Sequence, residues 1–220
     1  MQTNTNGGWA LFLTTIGYIL KIIQIIFSEY VFWKYLERYF KPFFLQLIVV
    51  KKRQILVIGN NTNGCTPKHE KIAYDIGVEI AKSDSVLITG GLGGVMAAAS
   101  HGAHDANGLA IGIIPQDDPS VANEFCDIVI PTGMGLTRDY LNALSADGVI
   151  IVGGGSGTLS ETCASYMYKK PMVAIRNLAS SVEPYIDDYI DHRKNIKIIG
   201  VDTPQEAVKT ILELIISTNV

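Results

Sequence analysis

Two glycine-rich stretches each follow a short β-branched run and precede a segment with helical spacing. They are Gly90-Gly91-Leu92-Gly93-Gly94 and Gly153-Gly154-Gly155-Ser156-Gly157-Thr158. A glycine turn from a strand into a helix exposes backbone N–H groups where the helix dipole is positive, which suits a phosphate. Two such turns in one chain restrict the fold to a few α/β architectures and predict a shared pocket for a phosphorylated ligand.

The flanking segments extend this pattern. Gln54–Gly59 reads as a buried parallel strand, and Thr66-Pro67 as the start of a helix whose apolar face is Ile72, Ala73, Ile76, Ile80 and Ala81. Strands are predicted at 85–89, 109–114, 127–130, 148–152, 172–175 and 196–199, and helices at 95–106, 136–146 and 159–169. Thr203-Pro204-Gln205-Glu206 is a capping box that opens a last helix to about residue 216. Alternation of this kind predicts a doubly wound, mostly parallel Rossmann-like sheet with helices on both faces. Right-handed crossovers then gather every strand-to-helix turn at the carboxyl edge, the Gly59–Gly64 turn included.

Charge divides the chain in two. Residues 1–53 carry seven basic and two acidic side chains, whereas 54–220 carry eleven and nineteen. An acidic domain without a basic stripe argues against nucleic acid. Cys65, Cys126 and Cys163 form no C-x-x-C pair, which predicts free thiols, buried at 126 and 163, in a reducing cytoplasmic setting.

The hydrophobic N-terminal extension, residues 1–50, is separate. Trp9–Phe27 is a mostly apolar stretch near the length that spans a bilayer, and aromatic residues mixed with basic ones continue to Lys41. Three readings stay open for it: an anchor tethering the domain to the cytoplasmic side of a membrane through residues 9–41, a helix docking on the domain or a partner, or an extension without function.

Among single residues, Glu161 is expected in the first turn of the helix after the second glycine cluster, where a carboxylate is favoured. Arg138 is expected either to grip a phosphate or to hold Glu161. Ser156 and Thr158 offer hydroxyls to a phosphate or cap their helix. Asn60, Asn61 and Thr62 either meet a base or pterin edge or serve turn chemistry alone. His101 and His104 are three apart with no third ligand nearby, so no metal site is predicted. His69 and His192 read as surface residues, and Asp187, Asp188 and Asp191 as a solvated face.

Three motifs carry a family resemblance over residues 54–218: Gly90 to Met96, Gly112-Ile113-Ile114-Pro115, and Gly153 to Glu161. Together they resemble the Lonely-guy-type superfamily, long labelled "lysine decarboxylase-like". One branch comprises phosphoribohydrolases that release adenine or cytokinin bases from nucleoside monophosphates, with M-H-x-R-K followed by P-G-G-x-G-T-x-x-E. The other comprises molybdenum-cofactor carriers and their relatives, which this chain resembles more closely. Gly153 stands where the enzymes have proline, and Gly135-Leu136-Thr137-Arg138-Asp139 lacks their methionine, histidine and lysine. The resemblance implies a binding or carrier protein for a phosphorylated small molecule, either the molybdenum cofactor (molybdopterin) as cargo or a nucleotide, in a homodimer or tetramer. Ligand contacts are expected from Gly59, Asn60, Asn61, Gly90, Gly91, Gly93, Gly94, Val95, Met96, Pro115, Arg138, Gly153, Gly154, Gly155, Ser156, Gly157, Thr158 and Glu161. If the chain is instead a phosphoribohydrolase, Arg138 and Glu161 are its catalytic residues. The third alternative is a membrane-tethered sensor that binds nucleotide without turnover.

Overall fold

A computed structural model describes residues 15–21, 34 and 51–218. The chain divides into two compact units, 1–51 and 52–220. In the first, residues 15–21 are helical. Most of Trp9–Phe27 lies outside the described residues, and so does the expected anchor. Among the described residues no helix is long and apolar enough to cross a membrane.

The second unit alternates strand and helix: β1 (Gln54–Gly59), α1 (Pro67–Lys82), β2 (Val86–Thr89), α2 (Val95–Asp105), β3 (Leu109–Ile114), β4 (Ile128–Pro131), α3 (Arg138–Ser145), β5 (Gly148–Val152), α4 (Ser156–Met167), β6 (Met172–Ile175), β7 (Ile198–Val201) and α5 (Pro204–Thr218). All seven strands are parallel, in the order β4-β3-β2-β1-β5-β6-β7. The chain builds outward from β1 to β4, then returns to lay β5 on the other side of β1. Connections therefore diverge between β1 and β5, and a crevice opens there at the carboxyl ends of the strands.

Alternation along each strand sorts the core into two layers. Ile55 and Val57 of β1 pack with Ile150 and Val152 of β5 beneath Ile76, Ala99 and Ile211 of α1, α2 and α5. Leu56 and Ile58 face the other way, with Val149, Ile151 and Tyr166 of α4. Where Gly77 of α1 meets Ala99 of α2, a Cβ would press on the facing backbone, so the small-residue helix lets these two approach closely.

Several boundaries move from their expected places. The 196–199 strand lies at Ile198–Val201, because pairing of Met172 with Ile198 sets the register of a continuous apolar run. The 136–146 helix splits into a 3-10 turn, Gly135–Thr137, and α3. The 127–130 strand is Ile128–Pro131, an edge strand with exposed Ile128 and Ile130. At α5, Thr203 Oγ1 accepts from the Glu206 N–H at 3.2 Å, while Glu206 reaches back one residue further than expected, to the Asp202 N–H at 3.1 Å. Cys126 and Cys163 are free but only half-buried.

Candidate functional site

A cavity of about 450 Å³ occupies the β1/β5 crevice. Its lining comes from the turns after β1 (Gly59, Asn60, Asn61, Gly64), β2 (Gly90, Leu92) and β5 (Gly155 to Thr158), with Met96, Pro115, Leu136, Arg138, Asp139 and Glu161.

The two glycine clusters do different work. Gly155 is the N-cap of α4 with no side-chain cap, and Gly155, Ser156 and Gly157 are exposed. The first N–H groups of α4 therefore open on the cavity, as an anion site requires. In the first cluster the N–H of Val95 already donates to Asn60 O at 2.9 Å. Gly94 has φ +68° and lies so close to the β1 turn that a Cβ would sit 2.5 Å from Asn60 O. This cluster seats one loop on another, and only Gly90 and Leu92 of it reach the cavity. Gly91, Gly93, Gly94, Val95, Gly153 and Gly154, all expected to touch ligand, do not line it. Their glycines serve close packing, which local pattern does not distinguish from ligand approach.

Beneath the cavity lies a buried polar set. Glu161 is in the second turn of α4, not the first, because the helix begins at Ser156. Glu161 is 8% exposed, and its carboxyl accepts from Asn142 Nδ2 at 2.8 Å. Arg138 Nη1 donates to Asp139 Oδ1 at 2.8 Å and lies 3.5 Å from Glu161 Oε1; Nη2 is 3.4 Å from Gly90 O. Arg138 is thus chiefly the partner of Asp139, and Asn142 is what holds Glu161. Burial pushes the Glu161 pKa up to about 7, the Asn142 hydrogen bond and the Arg138 charge oppose the rise, and the Asp139 charge adds to it. Asp139 is raised too, by burial, against the pull of Arg138. With Glu161 protonated, Arg138 and Asp139 balance, so this layer adds little net charge, and the α4 N-terminus is the stronger draw for an anion.

Asp139 and Asn142 were not singled out by sequence reasoning. Their one available signal was their spacing from Arg138 on the short helix α3. Thr158 lines the cavity, but its hydroxyl donates to Gly59 O at 3.1 Å, tying α4 to the end of β1. Asn61 Oδ1 accepts from the Asn63 N–H at 3.2 Å, which is turn chemistry. His69 is not a surface residue: it is 6% exposed and closes a capping box on Thr66 at the start of α1. Asp187 and Asp188 are exposed, as expected of a solvated face, whereas Asp191 is half-buried; Asp187 also accepts from Arg176, and Asp191 accepts from Tyr166 and Arg193.

A second cavity, about 440 Å³, lies between α1 and α2 and is lined by Lys71, Tyr74, His101 and Phe125 among others. His101 stacks on Phe125 at 4.1 Å and pairs with Asp105 at 3.4 Å. Gly94, the N-cap of α2, also lines this cavity, but the Val95 N–H at that helix start already donates to Asn60 O, and the Arg138, Asp139 and Glu161 set lines the β1/β5 crevice instead. Among the described residues no three His, Cys, Asp or Glu side chains gather as metal ligands.

Residues 52–208 match the model of the SLOG cluster4 family. The chain belongs to that family. Its members include no one function by virtue of the fold, so the relatives matter individually. An uncharacterised protein of Archaeoglobus fulgidus is 40% identical over 127 residues, 58% of this chain and 82% of the relative. The molybdenum cofactor binding protein of Rippkaea orientalis is similar in structure, with a TM-score of 0.68 and 34% identity over 76% of this chain and 99% of that one. The molybdenum cofactor carrier protein of Chlamydomonas reinhardtii follows with a TM-score of 0.66 and 28% identity, at the same coverage.

Proposed function

We propose that this SLOG cluster4 protein binds and carries a phosphorylated small molecule, with the molybdenum cofactor as its cargo. The observation that carries the reading is the uncapped N-terminus of α4 opening into a roomy cavity at the point where the sheet reverses. Ser156 and the N–H groups of α4 would hold the phosphate, and Gly59, Asn60, Asn61, Gly90, Met96 and Pro115 would face the attached group. The similarity to one cofactor-binding and one carrier protein supports this cargo. The cofactor brings its own dithiolene ligands, so the chain need only grip its phosphate and pterin ends. Retention of molybdenum and pterin by the full chain after gel filtration tests the reading. About one equivalent per chain is expected, and retention no greater than by an unrelated protein refutes it.

One observation favours a second reading, a nucleoside 5′-monophosphate phosphoribohydrolase. Glu161 lies under the cavity with a pKa pushed to about 7, suited to proton transfer or to stabilising charge on a ribose as its glycosidic bond breaks. Base release from AMP, followed by chromatography, would reveal it, with loss of release in Glu161→Gln. A homo-oligomer is also part of the proposal. Leu136, Tyr140 and Leu144 are 83%, 51% and 53% exposed at four-residue spacing along α3 and the turn before it, and Leu136 reaches the cavity rim.

A further inference from the structure

Two buried polar atoms are left without partners where α1 meets the β1 turn: Asn60 Oδ1 and His69 Nε2. Both press on Gly153, the first residue after β5. A Cβ built on Gly153 would sit 2.5 Å from His69 Nε2 and closer still to Asn60 Oδ1. Two atoms that near one point lie no more than about 5 Å apart, which a small side-chain rotation or one bridging water closes into a hydrogen bond. Gly153 permits this approach because it has no side chain and holds φ at +66°.

The His69 ring has a defined direction. Its Nδ1 accepts from the Thr66 backbone N–H at 3.3 Å and lies 2.7 Å from Thr66 Oγ1. A backbone N–H can only donate, so Nδ1 is unprotonated in the neutral ring and the proton sits on Nε2. Burial lowers the His69 pKa and keeps the ring neutral. Nε2–H is then a donor, and the atom it meets must accept. This orients the Asn60 carboxamide with Oδ1 inward; turned the other way, two donors would face each other. Asn60 Nδ2 consequently points away from His69 toward Gly64, and both Asn60 and Gly64 line the cavity. Nδ2 has no hydrogen-bond partner among the described residues.

We propose that His69 is a positioning residue that locks the Asn60 carboxamide so that Nδ2 donates to a hydrogen-bond acceptor on the cavity's ligand. The chain of contacts runs from the Thr66 N–H through the imidazole and the carboxamide to the ligand. It rests on the cavity being the ligand site. The acceptor is either a phosphate oxygen or a carbonyl or ring nitrogen on the group the phosphate carries.

Two measurements on the full chain test it. In nitrogen-15 spectra of the ring, His69 should show the Nε2–H form with a slowly exchanging proton, and Asn60→Ala should make that proton exchange rapidly. A His69 in the Nδ1–H form, or a proton indifferent to Asn60→Ala, overturns the pairing without any ligand present. Calorimetry with AMP and with inorganic phosphate reads the second half. Asn60→Ala and His69→Leu should each weaken AMP binding about tenfold, the double variant should be no weaker than Asn60→Ala alone, and His69→Gln, which keeps a donor at this place, should recover most of the loss. Equal losses for phosphate would locate the acceptor on the phosphate; losses confined to AMP would locate it on the nucleoside. Additive losses, or a folded His69→Leu that binds like the wild type, refute the positioning role. A wild type that binds neither AMP, phosphate nor molybdenum cofactor overturns the proposed function and the ligand half of this proposal, while the ring spectrum still decides the pairing.

Discussion

Replacing Glu161 by Gln should make the protein more stable above neutral pH. Folding raises the pKa of this carboxyl from 4.5 to about 7 by burying it. Between those values the folded chain holds a proton that the unfolded chain has released. The contribution of Glu161 to stability is therefore greatest below about pH 4.5, falls by about 1.4 kcal/mol per pH unit through the window, and levels off above about pH 7. The whole span is about 3 kcal/mol, large beside the usual stability of a domain. Gln keeps an oxygen for Asn142 Nδ2 and cannot ionise, so Glu161→Gln should match the wild type near pH 4.5 and exceed it by about 2–3 kcal/mol at pH 8. Asp139 is shifted in the same direction and its charge acts on Glu161, so the difference between the two proteins reports Glu161 together with its coupling to Asp139. Urea unfolding followed by circular dichroism at several pH values gives the comparison. Tryptophan emission would not serve, because Trp9 and Trp33 both precede the domain. A difference independent of pH, or a variant weaker than the wild type at pH 8, would show that Arg138 and Asn142 hold Glu161 ionised in the folded chain.

Ser156→Asp places a carboxylate in the first turn of α4, which should stabilise the helix by about 0.3–1 kcal/mol and yet weaken binding of a phosphorylated ligand more than about tenfold; thermal unfolding and calorimetry would read these opposite signs. Gly153→Ala should cost about 2–3 kcal/mol in urea unfolding, since its φ of +66° and the contacts with Asn60 and His69 leave no room for a methyl group. Tyr140→Glu, at an exposed position on α3, should shift sedimentation toward the monomer while circular dichroism stays unchanged; an unaltered assembly would remove α3 from any interface. Co-sedimentation of the full chain with anionic vesicles, lost on deletion of residues 1–50, is expected if that segment meets a membrane, and a chain that stays in the supernatant would refute the tether.

The α/β alternation, the parallel sheet and the position of the glycine turns on its carboxyl edge were all determined by the sequence alone, because periodicity, capping residues and glycine act over a few neighbours. Thr66-Pro67 and Thr203-Pro204 start helices where expected for that reason. The division of labour between the two glycine clusters was decided only in three dimensions. Both have the same local pattern, yet Gly94 is pinned by the β1 turn some thirty residues earlier in the chain, while Gly155 to Gly157 face open space. The partners of Arg138 and Glu161 were decided in the same way. A buried guanidinium takes the best-placed carboxylate, which is its neighbour Asp139, and Glu161 is left to Asn142 across a helix-to-helix contact. His69 is the sharpest case. A histidine three residues into a helix is ordinarily solvated, but the return of the chain to lay β5 beside β1 brings Gly153 over it. Burial is a property of what packs against a residue, and no local stretch of sequence contains that information.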